Sequence, residues 1–227
     1  MSASEWNAVW LSLQVGLMAA TGALPLAIVV GYALARWPSS FRWILETIVN
    51  LPLVLPPVVT GYLLLWALAP QGPIGAALQR SWGVKIVFTW WAAVLAGMVM
   101  SFPLAVRAMR LAFEGVDPRL ESAARTLGAS RLTAFLTVTL PLARRGVIAG
   151  WILAFARSLG EFGATIMVAG NIAGQTRTIP LAIFTLANQP GGFDRTWPLV
   201  GVSVLLACGA LAASEILERR QSRYASS

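Results

Sequence analysis

Not one histidine occurs in the sequence, and its single cysteine, Cys208, stands in an apolar run. The first absence removes the commonest general base and metal ligand together, and with it most hydrolytic and metal-dependent chemistry. The second excludes an internal disulfide and leaves Cys208 to be read as a small buried hydrophobe. Charge is scarce too: Asp, Glu, Lys and Arg make up 11 % of the 227 residues, where a soluble domain carries about 25 %. No GxxxxGK motif followed by Ser or Thr is present, so the chain is not expected to hydrolyse ATP itself. No catalytic residues, no metal site and no cofactor bound by this chain are expected. What fills the space is apolar: 57 % hydrophobic residues and a mean hydropathy of +0.71 predict an all-α polytopic membrane protein.

About five transmembrane helices are expected, over roughly 7–35, 47–69, 86–106, 146–170 and 196–214. The first lies in an uncharged run from Trp6 to Ala35, longer than the roughly 20 residues needed to span. That run is also too long, and lacks the preceding Lys or Arg, for a cleaved signal peptide. Span two contains Pro52, Pro56 and Pro57, each of which removes a backbone donor, so the helix must bend or open there. A kinked helix packed against lipid and a pore-lining helix both fit that pattern. Ser101 lies near the end of span three. Within span four, Gly150, Gly160 and Gly163 allow close helix approach, and Arg157 and Glu161 stand four residues apart. A charge at mid-bilayer costs about 2.5–3.5 kcal/mol on insertion scales, so this pair and the adjoining Ser158 are expected to face protein or a pathway. A structural ion pair, a gate element and a misplaced span boundary all remain open. The stretch from Thr178 to Ala187 is half the length of a span and reads as interfacial or re-entrant.

One long segment is polar, 107–145, and the rest of the chain is arranged around it. Asp117 can cap a helix with Pro118 at its first position. Gly128 suits a left-handed helix end, and Ser130 can cap a second helix that carries Leu132, Phe135, Leu136 and Val138 toward Pro141. The product is helix, glycine turn, helix. A DNA-reading helix-turn-helix has the same short turn, but the apolar runs on either side would drag a membrane into the major groove. An ordinary amphipathic loop is the plainer reading of the spacing.

These residues resemble the EAA loop of bacterial ABC-importer permeases: glutamate, two alanines, three residues, glycine, nine residues, then an isoleucine-x-leucine-proline, the isoleucine position being Val138 here. Ala123, Ala124, Gly128, Leu140 and Pro141 match. The position of the motif's glutamate holds Ser122, with Glu121 one residue earlier. Beyond the loop, LPLVLPPVVTGYLLL at 51–65, ARSLGEFGATI at 156–166 and TRTIPLAIFTL at 176–186 resemble the molybdate permeases, and the second also resembles their sulfate and tungstate relatives. The resemblance implies one permease domain over residues 1–227, working by alternating access. It implies that the loop docks on a cytoplasmic ATPase. The implied partners are a second copy of the chain, two ATP-binding cassette subunits that carry ATP and Mg, and an extracytoplasmic oxyanion-binding protein. A passive anion channel would explain the spans but not the docking loop. An intramembrane enzyme would need a nucleophile and base that Arg157 and Glu161 do not supply.

Charge counting gives the expected orientation in a bacterial cytoplasmic membrane. With the polar segment inside, Arg36, Arg42, seven arginines from Arg107 to Arg145, and Arg219, Arg220 and Arg223 are cytoplasmic, against Arg80, Lys85, Arg177 and Arg195 outside. The N-terminus is then outside and the C-terminus inside, and the net charge of +8 calls for no nucleic acid.

Overall fold

A computed structural model describes residues 1–37 and 40–225, with side chains as far as residue 217. Every regular element among the described residues is a helix, and there are no strands. The side chains of Arg219, Arg220 and Arg223, counted above with the cytoplasmic charges, lie outside the described residues.

The first helix, α1 (Ala3–Arg36), opens on a capping box in which the Ser2 hydroxyl accepts from the Glu5 amide and the Glu5 carboxylate accepts from the Ser2 amide. Next come α2 (Arg42–Val54) and α3 (Pro57–Leu68), meeting at 108°. Pro57 starts α3 and Pro56 precedes it, so two successive missing amides forbid a continuous helix. Pro52, by contrast, is carried inside α2. The stretch expected as the second span is therefore a sharply broken pair of helices. After α4 (Pro73–Trp82), the chain enters α5 (Trp90–Glu114), which runs eight residues beyond the expected span. At its start Phe88 adopts φ +60°, and its amide donates to the Val168 carbonyl at 2.9 Å.

Beyond α5 lie α6 (Pro118–Thr126), α7 (Arg131–Ala134), a π turn over Phe135–Thr139, and α8 (Leu140–Leu159). The last three form one continuous helix over Arg131–Leu159. Proline at 141 has no amide for the Thr137 carbonyl, and the Leu140 amide reaches back to Phe135, a wide turn that lets the helix pass the proline unbroken. The helix that carries the expected fourth span thus begins well before residue 146. It also ends earlier than 170, because Gly160 terminates α8, and the chain restarts as the short α9 (Gly163–Val168). The stretch expected to be interfacial or re-entrant forms α10 (Ile179–Ala187), and α11 (Trp197–Ala225) completes the bundle.

Small residues set the helix directions. Gly97 of α5 faces Ala19 of α1, and Gly31 of α1 faces Met109 of α5, so α1 and α5 run parallel. Gly150 of α8 packs on Ala108 and Met109, while Ser158 packs on Gly97, so α8 runs antiparallel to α5. Around these three helices sits the core of Met109, Phe113, Val106 and Ala154. At one end α2 is tied to α5 by ion pairs: Arg42 to Glu46 at 3.1 Å and to Glu114 at 3.2 Å, Arg110 to Glu114 at 2.7 Å, and Arg110 to Glu46. On the outside lies α11, only 11 % of whose apolar window is buried. Cys208 is accordingly exposed, contrary to the expectation of a buried thiol. An apolar residue of a membrane helix can face lipid as readily as protein.

Candidate functional site

Two places gather the residues singled out above, one at each end of the α7–α8 rod. At the first, the Asp117 carboxylate accepts from the Arg119 amide at 2.9 Å with Pro118 at the first helical position. Gly128 takes φ +96°, and the Ser130 hydroxyl accepts from the Thr133 amide at 3.1 Å. These local bonds fix α6 and α7 as a hairpin whose outer surface carries exposed Ser122, Ala123 and Leu127, the last 90 % exposed.

The two candidate polar side chains of α6 diverge. Ser122 only donates to the Pro118 carbonyl of its own helix, at 3.1 Å. Glu121 turns inward, accepting from the Tyr32 hydroxyl at 2.5 Å through Oε1 and from the buried Thr139 hydroxyl at 3.0 Å through Oε2. Tyr32 stacks edge-on against Phe113 and Phe135, at centroid distances of 5.7 and 4.7 Å. One acid therefore ties α6 to α1 and to the π turn, over an aromatic cluster that also reaches α5. Ala124 is half-buried, whereas Pro141 is exposed and Leu140 half-buried on the rod. Tyr32 and Thr139 carried no signal in the sequence, since Tyr32 is 89 residues from its partner.

At the far end, the two helix breaks meet. A Cβ on Gly163 would lie 2.8 Å from the Pro57 Cβ, and one on Gly61 would lie 2.6 Å from the Ala164 Cα, so the start of α9 is pressed against α3. Glu161, 3 % exposed, stands in the break between α8 and α9. Its Oε2 is 2.9 Å from Arg157 Nη1, while its Oε1 accepts from the Ala164 amide at 2.9 Å. The pair exists, but Glu161 is not on the helix that carries Arg157. It bonds a free amide in the first turn of α9 as well as the guanidinium. Arg157, 29 % exposed, keeps one edge open.

The side chains of the other candidates make no bond to the Arg157–Glu161 pair. Ser101 is fully buried, its hydroxyl donating to the Met98 carbonyl at 3.3 Å. Ser158 is buried against Gly97, and its hydroxyl has no partner among the described residues. Pro52 lines an apolar cavity of about 310 Å³ with Gly22, Met98 and Phe102. Exposed Gly160 borders the break directly. Among the described residues no cluster of His, Cys, Asp and Glu could hold a metal ion.

Residues 23–223 match the family described as binding-protein-dependent transport system inner membrane component. The chain is 52 % identical over 215 residues, covering 95 % of itself and 94 % of the relative, to the molybdenum transport system permease protein ModB of Escherichia coli K12. Identity is 39 % over 91 % of both chains to the putative molybdenum transport system permease protein YvgM of Bacillus subtilis. Among solved structures, the inward-facing MetNI methionine ABC transporter superposes with a TM-score of 0.67 at 17 % identity, covering 96 % of this chain and 99 % of that one. A bacterial alginate ABC transporter in complex with its pentasaccharide-bound periplasmic protein gives 0.70 at 16 % identity, covering 99 % and 81 %.

Proposed function

Because the chain belongs to the family of binding-protein-dependent transport system inner membrane components, we propose that it is the membrane-spanning permease of an ABC importer that carries molybdate across the cytoplasmic membrane. The observation that carries this reading is the 52 % identity to a molybdenum permease over nearly the full length of both chains. The chain is a transport subunit, not an enzyme. ATP and Mg are bound by two partner cassette subunits at the cytoplasmic face, and an extracytoplasmic binding protein delivers the anion to a pathway formed by two copies of this permease.

In this proposal the α6–α7 hairpin docks on the ATPase through its exposed face at Ser122, Ala123 and Leu127, with Gly128 setting the angle of the turn. Movement there reaches the rest of the chain by two routes. Glu121 connects the hairpin to α1 through Tyr32 and to the rod through Thr139, and the rod itself, carrying Leu140 and Pro141, leads to the break at Gly160. At that break Arg157, Glu161, Pro56 and Pro57 gate the pathway, which alternates between openings on the two faces. Weak anion contacts suit such a pathway, because a tight site would slow release.

Deleting the gene in its host and measuring cellular molybdenum by elemental mass spectrometry at nanomolar supply tests the substrate. Molybdenum content should fall severalfold and recover at millimolar molybdate. Unchanged molybdenum with lowered tungsten or sulfate uptake would reject molybdate as the cargo and keep the permease.

A further inference from the structure

An open groove of about 750 Å³ lies where the C-terminal turns of α1 meet the α6–α7 hairpin. One wall is apolar, made by Ile28, Val29 and Ala33 of α1 facing Leu132 and Phe135 of the rod. Val29 is 64 % exposed on a helix whose length and hydropathy suit a membrane span. At the mouth the chemistry changes to Arg36, Arg125 and Arg131. Trp37, which also lines the groove, is half exposed at the level where α1 ends, the position in which tryptophan favours lipid headgroups.

The three arginines are not consumed by the fold. Arg36 donates from Nη2 to the Val116 carbonyl at 2.8 Å, but its Nε is buried and has no partner among the described residues. A buried guanidinium donor left empty is uncommon and points to a missing acceptor. Neither Arg125 nor Arg131 is ion-paired among the described residues. The acid on the groove wall, Glu121, has both oxygens engaged, by Tyr32 and Thr139. The lining therefore carries a formal surplus of two positive charges beside an apolar trough.

We propose that this groove binds an anionic phospholipid, its phosphate held by Arg36, Arg125 and Arg131 and one acyl chain laid along Ile28, Val29 and Ala33. A free anion would use the arginines and leave the trough wet. A zwitterionic lipid would fill the trough but bring its own cation against three others. An anionic lipid matches both walls, and basic pockets between membrane helices are suited to such headgroups. The bound lipid would sit against the Tyr32–Glu121 bond, so its occupancy would bear on the joint between α1 and the hairpin. The proposal needs α1 to be a span and is independent of the cargo.

Native mass spectrometry of the delipidated permease–ATPase complex in detergent tests it, with palmitoyl-oleoyl phosphatidylglycerol, the matching phosphatidylcholine or inorganic phosphate added. One phosphatidylglycerol per permease chain should be retained, at least tenfold tighter than phosphatidylcholine. Arg125→Gln with Arg131→Gln should weaken it roughly 25-fold, about fivefold for each cation near an anionic headgroup, while the paired Arg→Lys changes should stay within about threefold. Ala33→Trp, which fills the trough and spares the cations, should also abolish retention. Equal retention of the two lipids, or no response to the Gln pair, would overturn the proposal. So would displacement of the lipid by millimolar phosphate, or retention by the permease alone but not with its ATPase, which would assign the groove to the free anion or to the ATPase.

Discussion

Glu161 holds two partners with its two oxygens, and this makes the Arg157 pair asymmetric. Removing the guanidinium by Arg157→Gln leaves a carboxylate that is 3 % exposed with only the Ala164 amide for compensation, and should cost about 3–5 kcal/mol. Glu161→Gln keeps an amide oxygen for Ala164 and frees an arginine that is 29 % exposed, so about 1–2 kcal/mol is expected. The double variant should resemble Glu161→Gln. Chemical denaturation of the three purified proteins in detergent checks the order, and an Arg157→Gln protein as stable as Glu161→Gln would refute it. The spacing of four residues was enough to foresee the ion pair but not its geometry. Nothing in the apolar run around it announces that α8 stops at Gly160, and a carboxylate bonding the amide of the next helix looks in sequence like any acid at that spacing. Tyr32 was illegible for another reason: its value lies in a bond to a residue 89 positions away.

The hairpin of α6 and α7 behaves differently, because its shape is specified by neighbours in sequence. Asp117, Pro118, Gly128 and Ser130 each do what their local chemistry demands, and the helix limits follow. A Cβ at Gly128 meets nothing within 4 Å, so Gly128→Val acts through the backbone alone: a β-branched residue at φ +96° costs about 1–2 kcal/mol and favours another turn. Membrane insertion should persist while ATP hydrolysis stimulated by the loaded binding protein falls at least fivefold in proteoliposomes. Normal stimulation would count against a docking role for the hairpin. Legibility ends where the chain is apolar on both sides of a break. The prolines at 56 and 57 did announce their bend, but the passage of the rod through Pro141 did not follow from sequence. The proline reads as a stop, and only the π turn over Phe135–Thr139 lets the helix ignore it.

On the scale of the whole chain, parallel α1 and α5 with antiparallel α8 require the broken α2–α3 pair and α4 to return the chain between α1 and α5. That path, together with the arginine distribution, predicts opposite exposure for the N-terminus and the hairpin. In a Cys208→Ala background, needed because Cys208 is exposed, a cysteine at Ser4 should react with impermeant maleimide added to cells with a permeabilised outer membrane. One at Leu127 should react only after detergent opens the inner membrane. Labelling of Leu127→Cys from outside would reverse the topology. Hydropathy located the long apolar helices but could not say which of their faces are left uncovered, which is why α11 and its cysteine came out more exposed than expected. A continuous helix of 29 residues, at about 1.5 Å per residue, reaches roughly 43 Å from the hairpin to the break at Gly160. Pivoted near its base, such a lever turns a tilt of about 5° into a displacement of nearly 4 Å at its tip, on the order of an anion's radius. Apart from the π turn and Pro141 near its base, the arm runs unbroken, so in the proposed mechanism a stroke begun at the hairpin is delivered beside Glu161.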